Sequence, residues 1–256
     1  MNVIIMSRDC ISAFSSNIEA ECHKHMMLQL FISSKGSIEV EVEGKCIEGA
    51  CIVVERNTNH KVKSNGNELF TMLIKPLTET DIRLRNKFFR EKSYCILQNK
   101  DLESLQNDLL NIHLDTEIEF YERFIENLKE IILLDTICPP ELDSRIKYIL
   151  KLLQECNCDP MEHQVKYLAD KVSLSVGRIS HLFKEKTGIT LKGYLIYHQL
   201  EQAYLDIFSG NSITQSAMNT GFSTPSHLSY TNKLRTGMSA RDILKDSIFL
   251  KVADLF

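Results

Sequence analysis

The sequence has no apolar run long enough to cross a bilayer. Its longest, such as Ala50 to Val54 and Ile131 to Leu134, fall far short of the roughly 20 residues that a spanning helix needs. Integral membrane functions are therefore not expected. The opening residues, Met-Asn-Val-Ile-Ile-Met-Ser-Arg-Asp-Cys, lack a basic head followed by an apolar stretch and a small-residue cleavage site, so the expected location is the cytoplasm. A disulfide framework is also not expected. The eight cysteines sit in a long chain without an export signal and read as reduced thiols. Cys156 and Cys158, in Glu-Cys-Asn-Cys-Asp-Pro, have no second pair at a matching spacing, which favours loop thiols over a structural zinc site.

What is present is ample material for a core. The chain has 256 residues, 43% of them hydrophobic and 25% charged, which fits one large globular domain or two ordinary ones. The net charge of -4 hides an asymmetry. Residues 1–140 hold 16 basic against 22 acidic side chains, whereas residues 164–245 hold 10 against 5. A locally basic second half suits a surface that faces phosphates.

The first third reads as strands. Ile38-Glu39-Val40-Glu41-Val42-Glu43 alternates apolar and acidic residues before a turn at Gly44-Lys45, the pattern of a half-buried antiparallel strand. Short strands are expected at Cys46 to Ile47, Cys51 to Glu55, His60 to Lys63 and Leu69 to Ile74, a density that favours a barrel or sandwich. From Asp101 the period becomes helical, through Leu102, Leu105, Leu109 and Ile112 and then Ile118 to Ile132. These helices, about 101 to 137, offer a surface for a homodimer. Pro139-Pro140 stops the helical pattern and marks the linker. The expected organisation is α+β in two domains, residues 1–138 with a strand-rich sensor and residues 141–256 all helical.

Two segments of the second half carry the same pattern. In the first, a short helix ends near Val172 and Ser175 is placed to cap a second helix. Leu168, Ala169, Ile179, Leu182 and Phe183 fall inward, while Gly177, Arg178 and His181 fall outward, as a helix-turn-helix requires. About 50 residues on, Ala217 takes the place of Ala169, Gly221-Phe222 forms a turn one residue longer and Leu228 takes the place of Ile179. Each unit closes on a glycine, in Phe183-Lys184-Glu185-Lys186-Thr187-Gly188 and Asn232-Lys233-Leu234-Arg235-Thr236-Gly237, and a long apolar helix from about Leu191 to Phe208 lies between them. Internal duplication is strong evidence for a designed pair.

Over about residues 160–246 the chain resembles the AraC/XylS family of transcription regulators, with its Gly-Phe turn, following Ser and apolar residue, and Lys-rich segment ending in Gly. The resemblance implies two recognition helices held by the linking helix so that both enter successive major grooves about 34 Å apart. It implies double-stranded DNA and RNA polymerase as partners, and an activator more than a repressor. Base contacts are expected from Gly177, Arg178 and His181 and from Ser226, His227 and Tyr230, with Ser175 at the helix start. Lys184, Lys186, Lys233 and Arg235 are expected to neutralise phosphates. The chain departs from the family at His181, Gln199, Tyr230, Asn232 and Ala240, where the family usually has Arg, Arg, Arg, Phe and Pro. These departures, with polar Ser216, make the second unit the looser expected reader.

In the first half, His23-Lys24-His25, Gln29 and Gly36 follow the first cupin motif with Gln in place of its carboxylate, and Gly49, Glu55, Asn57 and His60 echo the second. The N-terminal domain thus resembles a cupin. His23, His25, Gln29 and His60 are expected to line a pocket. That pocket takes a small-molecule effector, a metal such as zinc, nickel or iron, or nothing at all; Cys22, Cys46 and Cys51 are further candidates to line it. No cofactor is identified. The competing classes are a metal-dependent cupin enzyme with a helical appendage, which the lost carboxylate and the duplicated unit argue against, and a regulator that acts by protein contact without DNA binding.

Overall fold

The computed structural model describes residues 2–251 apart from 17, 65, 90, 99, 111–117, 135, 138–140, 156–163 and 246. The cysteine pair at 156 and 158 and the prolines at 139 and 140 lie outside the described residues. The fold is α+β and divides into two compact units, residues 1–139 with 233–256, and residues 140–232.

The first unit is built on two sheets. The larger has seven strands in the order β10-β7-β4-β9-β2-β1-β11, the smaller four in the order β3-β8-β5-β6. In chain order these are β1 (Asn2–Met6), β2 (Cys10–Ser15), β3 (Glu19–His23), β4 (Leu28–Ser33), β5 (Ile38–Val42), β6 (Lys45–Gly49), β7 (Cys51–Val54), β8 (His60–Lys63), β9 (Leu69–Ile74), β10 (Tyr94–Leu97) and β11 (Ser247–Lys251). The expected strands at 46–47, 51–55, 60–63 and 69–74 are all present. β5 alternates buried and exposed residues as its sequence dictates. Its apolar side joins Phe31, Ile52, Val62 and Leu69 in a core between the sheets.

The other face of the large sheet is covered by helices. β4 is buried along its whole length because Leu28, Leu30 and Ile32 meet the helices while Phe31 faces the second sheet. The covering elements are α2 (Lys100–Leu110) and α3 (Ile118–Leu133), whose apolar stripes Leu102, Leu105, Leu109, Tyr121, Phe124, Ile125, Leu128 and Ile132 lie in this core. Phe14, Phe70, Tyr121 and Phe124 form an aromatic knot here, with Phe14 4.7 Å from Phe70 and 4.8 Å from Tyr121 between centroids. These stripes are therefore engaged within the fold, which leaves their partly exposed flanks for any contact with a second copy. α1 (Glu79–Phe88), capped by Thr78, precedes them.

The described residues from Lys233 to Lys251, which the sequence reading places with the helical half, pack in the first unit. β11 pairs in parallel with β1, with Asn2 opposite Ser247 and Met6 opposite Lys251. Gly237 has a left-handed φ of 67°, its carbonyl accepts the Glu21 N–H at 3.1 Å, and a Cβ there would stand 2.3 Å from the Glu21 carbonyl.

The second unit is helical. It holds α4 (Ser144–Gln154), α5 (Val165–Lys171), α6 (Val176–Thr187), α7 (Leu191–Phe208) and α8 (Ile213–Asn219), and α9 (Pro225–Thr236) up to residue 232; α10 (Ala240–Leu244) follows in the chain. The bounds of α7 are those expected from its apolar pattern. Among the described residues no helix is long and apolar enough to cross a membrane.

Candidate nucleic-acid interface and barrel cluster

The first helix-turn-helix is α5, a turn, and α6. Ser175 caps α6 by accepting the Arg178 N–H at 3.3 Å. Leu168, Ala169, Ile179, Leu182 and Phe183 are buried, and Ser175, Gly177, Arg178, His181, Lys184 and Lys186 are exposed. A Cβ on Gly177 would meet nothing within 4 Å. Phe183 packs against Tyr194 of α7, 5.7 Å between ring centroids, which fixes the recognition helix to the long connector.

The second unit, α8 and α9, repeats the first bond for bond. Leu174 N–H donates to the Ala169 carbonyl at 3.0 Å, and 48 residues later Phe222 N–H donates to Ala217 at 2.9 Å. The N-cap of α6 has its counterpart in Thr224, whose Oγ1 accepts the His227 N–H at 3.0 Å. Sequence reasoning missed Thr224; the alignment of Ser175 with the residue before Pro225 is the signal that could have found it. Both recognition helices end on a left-handed glycine, Gly188 at φ 72° and Gly237 at φ 67°, whose N–H reaches back to Lys184 at 2.8 Å and Lys233 at 2.9 Å. Thr187 and Thr236 repeat as well, each accepting the N–H two residues on, at 3.1 and 3.2 Å.

The departures from the family pattern are accommodated locally. Asn232 is fully buried and its Oδ1 accepts the Tyr204 hydroxyl at 2.6 Å. Gln199 donates to the Thr220 carbonyl at 2.8 Å, covering the C-terminus of α8. Ser216 is also fully buried, and its hydroxyl has no hydrogen-bond partner among the described residues. The remaining core of this unit is Leu200, Ala203, Ala217, Phe222 and Leu228.

Ser226, His227 and Tyr230 are exposed, Tyr230 by 68%, and the His227 ring lies 3.1 Å from the Ser223 hydroxyl. The basic residues are not equally available. Lys186 pairs with Glu185 at 3.1 Å and Lys233 with Glu21 at 3.3 Å, while His181 stands 3.6 Å from Glu185. Exposed pairs of this kind are weakly held and screened by salt. Glu185 is held below the usual carboxylate range, first by its bond to Lys186.

The barrel gathers its own expected cluster. His23 on β3, His25 just after it, Gln29 on β4 and His60 on β8 are all buried. The ligand atoms of the three histidines lie within 4.8 Å of one another. The imidazoles of His25 and His60 bring Nε2 to the same Gln29 carboxamide atom at 2.9 and 2.7 Å, and the other end of that amide is 3.1 Å from the Thr71 hydroxyl. Each Nδ1 faces a backbone carbonyl, His23 that of Glu21 at 2.8 Å, His25 that of Met27 at 3.1 Å and His60 that of Thr58 at 2.9 Å. Burial pushes His25 down to about 3 and His60 to about 4, and lowers His23. All three are neutral at pH 7.

The metal implied by the cupin motif does not fit this arrangement. The Nε2 atoms of His25 and His60 that it would need both face the Gln29 amide, and among the described residues the cluster holds no carboxylate to balance a dication. The expectation for the cysteines is corrected. Cys22 and Cys46 are exposed, and Cys51 packs on the helix-facing side of the large sheet.

Known proteins resemble the chain in its C-terminal sequence and in its fold. The profile of the family described as "Helix-turn-helix domain" matches residues 168–246. The "Transcriptional regulator MxiE" of Shigella flexneri and that of Shigella sonnei are each 29% identical over 107 residues, 41% of this chain and 49% of the relative. The chain thus spans about half the length of the curated relatives it matches. Among solved structures, an apo form of ToxT from Vibrio cholerae gives a TM-score of 0.56 at 13% identity, covering 93% of this chain and 97% of that one. Wild-type ToxT described as bound to an unsaturated fatty acid gives 0.52 at 12% identity, covering 93% and 95%. At that identity the likeness concerns the fold.

The C-terminal region therefore carries a helix-turn-helix domain, matched over residues 168–246. The chain as a whole has a fold similar to that of ToxT.

Proposed function

We propose that the chain is a sequence-specific DNA-binding transcription regulator, a non-enzymatic protein of the cytoplasm that responds to a small-molecule effector. The observation that carries this reading is the duplication of α6 and α9 with matching caps and outward-facing side chains. Arg178, Gly177, His181, Ser226, His227 and Tyr230 read base edges, while Lys184, Lys186, Lys233 and Arg235 bind phosphates. Its partners are double-stranded DNA, RNA polymerase and a second copy of the chain. The MxiE relatives support the regulatory role by their description. The fatty acid described for ToxT supports an organic effector, which would anchor on His23, His25, Gln29 and His60.

A genome-wide map of bound DNA, followed by titration of a recovered site, tests the reading. If about 4 to 6 phosphates are contacted, log K should fall against log salt with a slope of roughly -4 to -5. A flat dependence and no enriched sites would refute it.

A further inference from the structure

We propose that Gln29 is a specificity-determining residue that keeps the three-histidine cluster free of metal, its side-chain amide standing between His25 and His60 where an ion would otherwise bind. The two ends of a carboxamide have the same shape, so the hydrogen-bond accounting decides which end faces the rings. The Nδ1 atoms of His25 and His60 both face backbone carbonyls, which only accept. Each Nδ1 therefore carries the ring proton, and each Nε2 presents a lone pair. An oxygen 2.9 and 2.7 Å from two lone pairs would be repelled by both. An NH2 group has two hydrogens, one for each ring. The amide oxygen then turns to Thr71 and accepts its hydroxyl proton across the 3.1 Å contact.

In this arrangement every donor on the amide, the two rings and Thr71 meets an acceptor. The alternative, with the oxygen facing the rings, needs two adjacent imidazolium ions in a buried site, which burial and their mutual repulsion oppose. A dication would have to displace the amide and then remain buried among neutral ligands, and an uncompensated buried charge is costly. A carboxylate at position 29 reverses both terms. It cannot donate to the rings, and it supplies negative charge at 2.7 to 2.9 Å from two imidazole nitrogens. One side chain thus separates a closed polar network from a transition-metal site.

The inference concerns the cluster assigned to the effector, but it rests on the hydrogen-bond geometry and burial of that cluster. Its test reads metal and ring protons instead of transcription, so either reading can fail without the other. Full-length wild type and Gln29→Glu are each incubated with Ni2+, passed into metal-free buffer and assayed for metal by mass spectrometry. Wild type should retain almost none, whereas Gln29→Glu should retain about one ion per chain and bind it roughly tenfold or more tightly than wild type. Stoichiometric metal on wild type, or a folded Gln29→Glu that binds no more than wild type, overturns the proposal. Should Gln29→Glu not fold, long-range 15N–1H NMR of the wild-type rings decides. Neutral imidazoles with the proton on Nδ1 of His25 and His60 support the proposal, and a proton on either Nε2 overturns it.

Discussion

The Tyr204 hydroxyl on α7 donates to Asn232 Oδ1 on α9 at 2.6 Å, and Asn232 is wholly shut away from water. The asparagine that stands where the resembled family has phenylalanine is therefore built into the framework, and it ties the second recognition helix to the connector. Burial pushes the Tyr204 hydroxyl up, so it remains a donor throughout the working pH range. Tyr204→Phe should lower the unfolding free energy by about 1 kcal/mol. Ser216→Ala should do the opposite and stabilise by up to about 1 kcal/mol, because the hydroxyl it removes is buried without a partner among the described residues. Urea midpoints of the two variants check this pair. A stabilised Tyr204→Phe or a clearly destabilised Ser216→Ala would contradict it.

The two turns differ at one instructive position. Ser173 in the first unit has φ 53°, and its counterpart 48 residues on is Gly221 at φ 77°. A side chain in the left-handed region costs about 1 kcal/mol or more relative to glycine. Ser173→Gly should therefore stabilise the first unit by roughly 0.5 to 1 kcal/mol after the extra freedom of glycine in the unfolded chain is counted. Gly221→Ser should destabilise the second by a similar amount. Thermal melts of both variants read the signs.

Acid should weaken the barrel. His25 and His60 fall from 6.5 to about 3 and about 4 on folding, and His23 is also lowered, so below pH 6.5 the unfolded chain binds protons that the folded chain refuses. Stability is fully present above pH 6.5 and declines as the pH falls toward about 4. Asp81 acts in the other direction. Burial raises it from 3.8 to about 6, so the folded state binds its proton more tightly and gains as the pH falls from about 6 toward 3.8. Three histidines against one aspartate leave a net loss. Denaturant midpoints should be highest at pH 7.5 and 6.5 and fall through pH 5.5 and 4.5, and a midpoint that rises between pH 6.5 and 4.5 would refute the neutral cluster.

Legibility in the sequence followed the physics of each element. β5 could be read because one face is wet and its side chains alternate, and α7 because its long apolar pattern ends where the helix ends. β4 could not, since Leu28–Ser33 is buried on both faces and the period of two disappears. β11 could not, because its partner β1 lies at the far end of the chain. The helix-turn-helix framework was legible through duplication, in the repeated turns and caps. The histidine cluster was legible through its spacing, yet nothing in the spacing tells that one amide bridges two rings, since that depends on which atoms the sheets bring within 3 Å.

The most direct test of the account concerns Arg178, which stands exposed at the capped start of α6 and is proposed to read a base edge. A forked guanidinium paired with guanine contributes about 1 to 3 kcal/mol of discrimination, while His227 and Tyr230 offer single, less directional bonds. Wild type, Arg178→Ala and His227→Ala are titrated at one salt concentration against a cognate duplex, against copies mutated in each half-site and against random DNA. Arg178→Ala should lose roughly 5- to 100-fold on the cognate site, more than His227→Ala, with preference relaxed at one base pair and little change on random DNA. Equal losses on cognate and random DNA for Arg178→Ala, or a larger loss from His227→Ala, would contradict the account.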